Sequence, residues 1–290
     1  MAETISSLLA KSAGFLKKKG SSSPRLDAEL LLAEVLGGTR VDLYVNFEQP
    51  LSKAEIDHYR ELIRRRGQGE PVAYILGRAY FRNLTLRVDR SVLVPRPETE
   101  HVVEAALRFL MEREWQRPPR VLDIGTGSGA IAISIAAGFP DAELLATDAS
   151  SDALRLAEDN ALTAGAAERI VFVRSDLFEE LDPTETFDLI VSNPPYVSGD
   201  EWPALPRDVR DFEPREALYG GPDGLDFYRR LAVEAPQYMR PQGCLIMEIG
   251  YRQAEAVTEL LQGTERFEVI QVGQDFAGHD RVITGCRAEV

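Results

Sequence analysis

The chain predicts an α/β protein: a seven-stranded, mostly parallel, doubly wound sheet of Rossmann-like type, preceded by a small helical bundle and a β-hairpin. Three observations predict it. From Glu98 onward, short apolar runs alternate with longer amphipathic ones, the signature of strands and helices taken in turn. A turn with three glycines, Gly125-Thr126-Gly127-Ser128-Gly129, joins one apolar strand to the helix that follows. The last two apolar runs have only Gln274–Asp280 between them and no helix, so a hairpin makes the final strand antiparallel.

Taken in order, Ala2–Lys19 reads as a helix ending in the cluster Lys17-Lys18-Lys19-Gly20. Ser23 is placed as the N-cap of a second helix with Pro24 at its first position. Leu26, Leu30, Ala33 and Leu36 continue it at helical spacing until Gly37-Gly38. Arg40–Asn46 is a short helix, and Ser52-Lys53-Ala54-Glu55 is a capping box opening a helix to Arg66. Arg64-Arg65-Arg66 falls at that helix's C-terminus, where the macrodipole favours cations, which is a simpler account than a nucleic-acid patch. Ala79–Val94 alternates apolar and polar residues as a strand pair does. The expected division is a helical domain over 1–77, a hairpin linker over 78–96 and an α/β domain over 97–290. Within the last, strands are expected at 120–124, 143–147, 169–173, 187–191, 243–249, 267–272 and 281–286. Helices are expected at 99–113, 129–138, 150–163, 224–239 and 252–263. Val197–Gly224, rich in Pro, Asp and Glu, has no core-like periodicity, and loops of this length are often functional.

Composition narrows the class. The chain has 290 residues, 44% hydrophobic and 28% charged, as a soluble globular protein has. Met1–Ala10 lacks a basic-then-apolar signal pattern, and no apolar run approaches the ~18 residues of a membrane span. A cytoplasmic location is expected. Cys244 and Cys286 sit in apolar strand-like contexts and have no metal spacing, so free thiols are expected and no metal. Residues 1–90 hold 15 basic against 11 acidic side chains, whereas residues 91–290 hold 18 against 36 and no lysine. So acidic a domain repels a phosphate backbone and attracts a basic protein partner.

The residues that carry chemistry lie at strand ends, where open α/β sheets bind ligands. Gly125 and Gly127 let the backbone approach a ligand closely, and Gly129 permits tight helix packing. Their G-x-G-x-G spacing is not the dinucleotide fingerprint. Asp148 closes the next strand about 20 residues on, where a carboxylate grips ribose hydroxyls, although it also suits a helix N-cap. Asp123, among apolar neighbours in the first strand, needs a partner such as loop N–H groups or a cationic ligand. Asn193-Pro194-Pro195-Tyr196 follows the strand Phe187–Val191. Two prolines remove two N–H donors, leaving the Asn193 side-chain oxygen and nearby carbonyls as acceptors beside an aromatic ring. Such a turn suits a planar group bearing an NH2.

The run DIGTGSG, then Asp148, then Ser192–Tyr196 resembles the class I S-adenosylmethionine-dependent methyltransferases of the amino-group type. Their NPPY motif belongs to enzymes that methylate planar nitrogens, either adenine N6 or the side-chain amide of glutamine. Pro95–Glu100, Glu213–Leu218, Gly220–Leu225 and Met247–Gly250 narrow the resemblance to the release-factor glutamine methyltransferase family. The resemblance implies methyl transfer from S-adenosylmethionine to N5 of the glutamine in the Gly-Gly-Gln loop of peptide chain release factors. It implies that Gly125, Thr126, Gly127, Ser128, Gly129 and Asp148 hold the cofactor, with Asp176 and Leu177 bordering the adenine and Asn193 alongside. Asn193, Pro194 and Tyr196 become the catalytic residues, and Pro195, Arg96 and Pro97 join them on the substrate side. The helical domain is expected to contact the release factor away from its glutamine. A monomer without stable binding to nucleic acid or membrane is expected. The alternative is an adenine N6 methyltransferase acting on DNA or RNA, against which the acidic α/β domain weighs.

Overall fold

A computed structural model describes residues 3–287, and these fall into two compact units. The first comprises residues up to Arg78 together with Pro206–Phe212. Its helices are α1 (Ile5–Lys18), α2 (Pro24–Val35), α3 (Arg40–Val45), α4 (Lys53–Gly67) and α5 (Val72–Leu76). Ser23 caps α2 by position, with Pro24 in the first turn, though its side chain makes no capping bond. The Ser52–Glu55 box forms in both directions: Glu55 N donates to Ser52 Oγ at 3.3 Å and Ser52 N to Glu55 Oε2 at 2.7 Å. Leu9, Leu16, Leu31, Leu32 and Tyr59 make a core with no solvent exposure. Arg66 departs from the solvated helix end expected of Arg64–Arg66. Its guanidinium is buried and paired with Asp27 at 2.7 Å and Asp208 at 3.1 Å.

The second unit holds Ala79–Leu205 and the chain from Glu213 onward. The hairpin β1 (Arg78–Phe81) and β2 (Leu84–Arg87) buries Phe81 and Leu86 in this unit's core, so its residues pack as part of the α/β body rather than as a separate linker. The main sheet contains β3 (Arg120–Ile124), β4 (Glu143–Asp148), β5 (Ile170–Arg174), β6 (Phe187–Ser192), β7 (Met239–Glu248), β8 (Val269–Gln274) and β9 (Asp280–Cys286). Their order is β5-β4-β3-β6-β7-β9-β8, with β9 antiparallel to both its neighbours and the other pairs parallel. This is the expected sheet, including the reversed last strand.

Strand residues alternate between two cores. Val121, Leu189, Val191, Cys244 and Ile246 pack against α6 (Glu100–Met111) and α7 (Ala130–Gly138). Leu122, Ile190, Leu245 and Met247 face α10 (Asp226–Tyr238) and α11 (Ala254–Gly263). Cover on both faces explains why the central strands read as unbroken apolar runs. α8 (Ser151–Thr163) follows β4, and a four-residue α9 (Arg207–Arg210) lies in the segment that belongs to the first unit. Cys244 and Cys286 stand opposite each other on β7 and β9 and are joined as a disulfide, in place of the free thiols expected from composition. Antiparallel register sets them face to face, which spacing along the chain does not reveal. β3 runs on to β4 and β5 on one side, while β6 continues to β7 on the other. The carboxyl ends of β3 and β6 therefore form the switch point of the sheet, where open α/β folds bind ligands.

Candidate active site

At that switch point lies a cleft of about 500 Å³, within the usual size range of small-ligand sites. Gly125–Ser128 after β3, Asp148 at the end of β4, Asp176-Leu177 beyond β5 and Asn193–Pro195 after β6 all line it. Two of the glycines have a geometric reason. Gly125 and Gly127 sit at φ +71° and +55°, and a Cβ on either would meet no atom within 4 Å. Bare backbone thus faces open cleft. Gly129 instead packs inward, where a Cβ would lie 3.3 Å from Ala157 on α8.

The loop is braced from beneath. Asp123 is fully buried; its Oδ2 accepts from the Thr126 hydroxyl at 2.7 Å and from Ala132 N at 3.1 Å. Its Oδ1 is buried with no hydrogen-bond partner, and burial pushes the carboxyl up to about 7. Asp148 accepts from Gly127 N and Ser150 N, each at 2.9 Å, and its burial raises its pKa. Ser150, not Asp148, caps α8. Asn160 on α8 donates to Ser128 O at 2.8 Å and exchanges bonds with the backbone of Arg87. Asp176 lies two residues past the end of β5 and is paired with Arg230 at 2.7 Å. Leu177 has a φ of +51°, an uncommon conformation for leucine of the kind that gathers at ligand sites.

The turn after β6 is held by groups distant in sequence. Asn193 Nδ2 donates to Thr99 Oγ1 at 3.1 Å, and Thr99 donates to Glu248 Oε2 at 2.6 Å. Tyr196 is absent from the cleft lining; its hydroxyl donates to Glu248 Oε1 at 3.2 Å. A position against the substrate amide was expected for it, whereas its ring packs against the core on the α10 side. Gln253 clamps the same turn, donating to Tyr196 O at 3.0 Å and Gly224 O at 3.2 Å. Gly220 and Gly224 pack so closely that a Cβ would lie 2.6 Å from Pro195 O or 2.4 Å from Tyr196 O. Arg96 lines the cleft and pairs with the buried Glu213, which also accepts from Val94 N. Pro97, grouped with Arg96 from the sequence, is exposed and outside the lining, because it opens the one-turn helix that delivers Thr99.

Thr99, Glu248, Gln253, Glu213 and Asn160 were not singled out as site residues by sequence reasoning. Glu248 carried a signal, a carboxylate among apolar strand residues, as Asp123 did. Thr99 lay within the Pro95–Glu100 stretch that carries the family resemblance, and Gln253 carried no signal.

The fold and cleft define an α/β methyltransferase. Residues 100–205 match the methyltransferase small domain, and residues 7–77 match the PrmC N-terminal domain. The chain belongs to the release factor glutamine methyltransferase family. It is 44% identical to the release factor glutamine methyltransferase of Rhodopirellula baltica over 97% of this chain and 95% of that one. Identity to the protein of the same name from Geobacter sulfurreducens is also 44%, over 97% and 96%. Among solved structures, a methyltransferase from Pyrococcus furiosus shares the fold with a TM-score of 0.52 at 19% identity, covering 71% of this chain and 90% of that one. An S-adenosylmethionine-dependent methyltransferase from Agrobacterium tumefaciens does so with a TM-score of 0.50 at 17% identity, covering 73% and 70%.

Proposed function

We infer that this chain transfers a methyl group from S-adenosylmethionine to the side-chain amide N5 of the glutamine in the Gly-Gly-Gln loop of a release factor. The observation that carries the reading is an acceptor turn whose residues Asn193–Pro195 open onto the same cleft as a bare-backbone glycine loop, in a chain similar over 97% of its length to release factor glutamine methyltransferases. The residues present fit the cofactor: Gly125 and Gly127 leave room for close approach, Asp148 sits at the cleft wall, and the orphaned Asp123 Oδ1 suits a nearby positive charge. Bound there, S-adenosylmethionine supplies an electrophilic methyl on a sulfonium.

The chain's part is positioning and charge stabilisation. An amide nitrogen is a weak nucleophile because its lone pair is delocalised, and it becomes positive as it attacks. Asn193 Oδ1 and the Pro194 carbonyl accept its N–H groups, steady that charge and aim the lone pair. Holding two reactants in line supplies much of the acceleration. The proton leaves to water after transfer. The helical unit serves the release factor away from its glutamine, and the reaction belongs in the cytoplasm with a monomeric enzyme. Among the described residues no helix is long and apolar enough to cross a membrane, and no His, Cys, Asp and Glu cluster suits a metal ion.

Incubation with labelled cofactor and three acceptors, a release factor, duplex DNA and ribosomal RNA, tests the reading, with mass spectrometry locating the methyl group. Label on the release-factor glutamine is expected. Label on adenine in its place would transfer the site to nucleic-acid chemistry.

A further inference from the structure

We propose that Glu248 is a positioning residue that, through Thr99, fixes which end of the Asn193 amide faces the methyl acceptor. The proposal rests on the reading of Asn193 given under Proposed function. A threonine hydroxyl owns one proton. Thr99 spends it on Glu248 Oε2, and 2.6 Å is the short separation typical of a hydroxyl donating to a carboxylate. What remains on Thr99 is lone pairs, so toward Asn193 it can only accept, and it takes Nδ2 at 3.1 Å. An amide committed through its NH2 presents its oxygen elsewhere. Asn193 lines the cleft, and its Oδ1 accepts no hydrogen bond from the described residues. The other oxygen of Glu248 receives the Tyr196 hydroxyl. One carboxylate at the end of β7 thus anchors the first and last residues of the acceptor turn.

The polarity of this chain depends on Glu248 being ionised. Once protonated, the carboxyl can donate to Thr99, whose own proton is then free to go to Asn193 Oδ1. The amide turns over, its NH2 faces the cleft, and an acceptor N–H meets another donor. Burial pushes Glu248 up to about 7; the hydroxyls of Thr99 and Tyr196 pull it down, Glu98 raises it, and Arg281 on β9 lowers it. From α10, Tyr228 donates to the Glu248 backbone oxygen at 2.9 Å, and burial drives its own titration far upward. Glu98 and Thr99 precede α6, so groups from four sides of the carboxylate are accounted for.

The test is the pH dependence of kcat at saturating cofactor, on the full chain with a release factor as acceptor. The wild type should lose about tenfold per pH unit below the Glu248 titration. Glu248→Gln should abolish that acid limb at a lowered kcat, since an amide lends Thr99 no fixed polarity. Thr99→Val should lower kcat about tenfold or more while cofactor Kd stays within about twofold, and Thr99→Ser should restore most of the loss. Cofactor binding serves as the check on folding, and if Glu248→Gln fails it, the Val and Ser pair decides. Wild-type kcat in Thr99→Val, or an intact acid limb in Glu248→Gln, would overturn the proposal. An inactive wild type would instead sink the functional reading beneath it.

Discussion

Asn193 and Asp148 both line the cleft, and the proposed function gives them different work that substitution can separate. Asn193→Ala should leave cofactor affinity within a few-fold while lowering kcat by about 10²–10³, the usual cost of deleting one transition-state hydrogen-bond partner. Single-turnover rates measured beside cofactor Kd would separate the two effects, and an unchanged rate would take Asn193 out of the chemistry. Asp148→Ala should act oppositely, weakening cofactor binding by roughly 1.5–3 kcal/mol per charged hydrogen bond lost. Calorimetry provides the measurement. If affinity holds, the carboxylate is simply the brace of Gly127 N and Ser150 N seen in the structure. Their positions at the cleft were legible in the sequence because Asp148 ends β4 and Asn193 follows β6, each beside a turn whose composition has few structural uses. Their supports were less so. Thr99 and Glu248 are remote from Asn193 in the chain; the pairing of β6 with β7 brings Glu248 beside the turn, and the one-turn helix ahead of α6 brings Thr99.

Elements read from sequence as well as periodicity allowed. The strands of the main sheet stand where the apolar runs put them, with ends moved by a few residues. The five-residue α5 passed unnoticed, being shorter than two helical turns, and so carried no repeat. Val197–Gly224 carried no periodicity either, since its order comes from close backbone packing: Gly220 N donates to Val197 O, and Val197 N to Leu218 O. That packing predicts a mutational contrast. Gly224→Ala would press a Cβ to 2.4 Å from Tyr196 O at a φ of +78°, so the acceptor turn must shift. A displacement of about 1 Å at a reacting centre costs on the order of 10² in rate, so kcat should fall steeply with cofactor Kd kept. Gly165→Ala, at φ +68° with no atom within 4 Å, carries strain alone, and should reduce stability by about 1 kcal/mol with normal turnover. Equal turnover in the two variants would show that the turn tolerates the intrusion.

At the scale of the whole molecule, charge is the property most easily read from sequence: residues 91–290 carry twice as many acidic as basic side chains. If this field steers a basic release-factor surface, methylation at subsaturating protein substrate should slow as salt shortens the screening length from ~8 Å toward ~3 Å. Transfer to a short uncharged peptide containing Gly-Gly-Gln should be much less sensitive, because steering acts on the partner and not on the chemistry. Identical salt profiles would reduce the acidity to a matter of solubility. The partition of the chain was harder to read. A boundary near residue 78 follows from the change of periodicity, but nothing in Pro206–Phe212 marks it as part of the helical unit. Arg66 bears the consequence. Its buried guanidinium draws one counter-charge, Asp27, from its own stretch of chain and another, Asp208, from a segment more than a hundred residues later. A chimera that exchanges the first 78 residues between relatives would therefore pair a foreign Arg66 site with a resident Asp208, and one cut short at that boundary would leave the buried arginine with Asp27 but without its second partner. The transplantable part is two pieces of chain, and grafts that move both should fold where single-cut grafts do not.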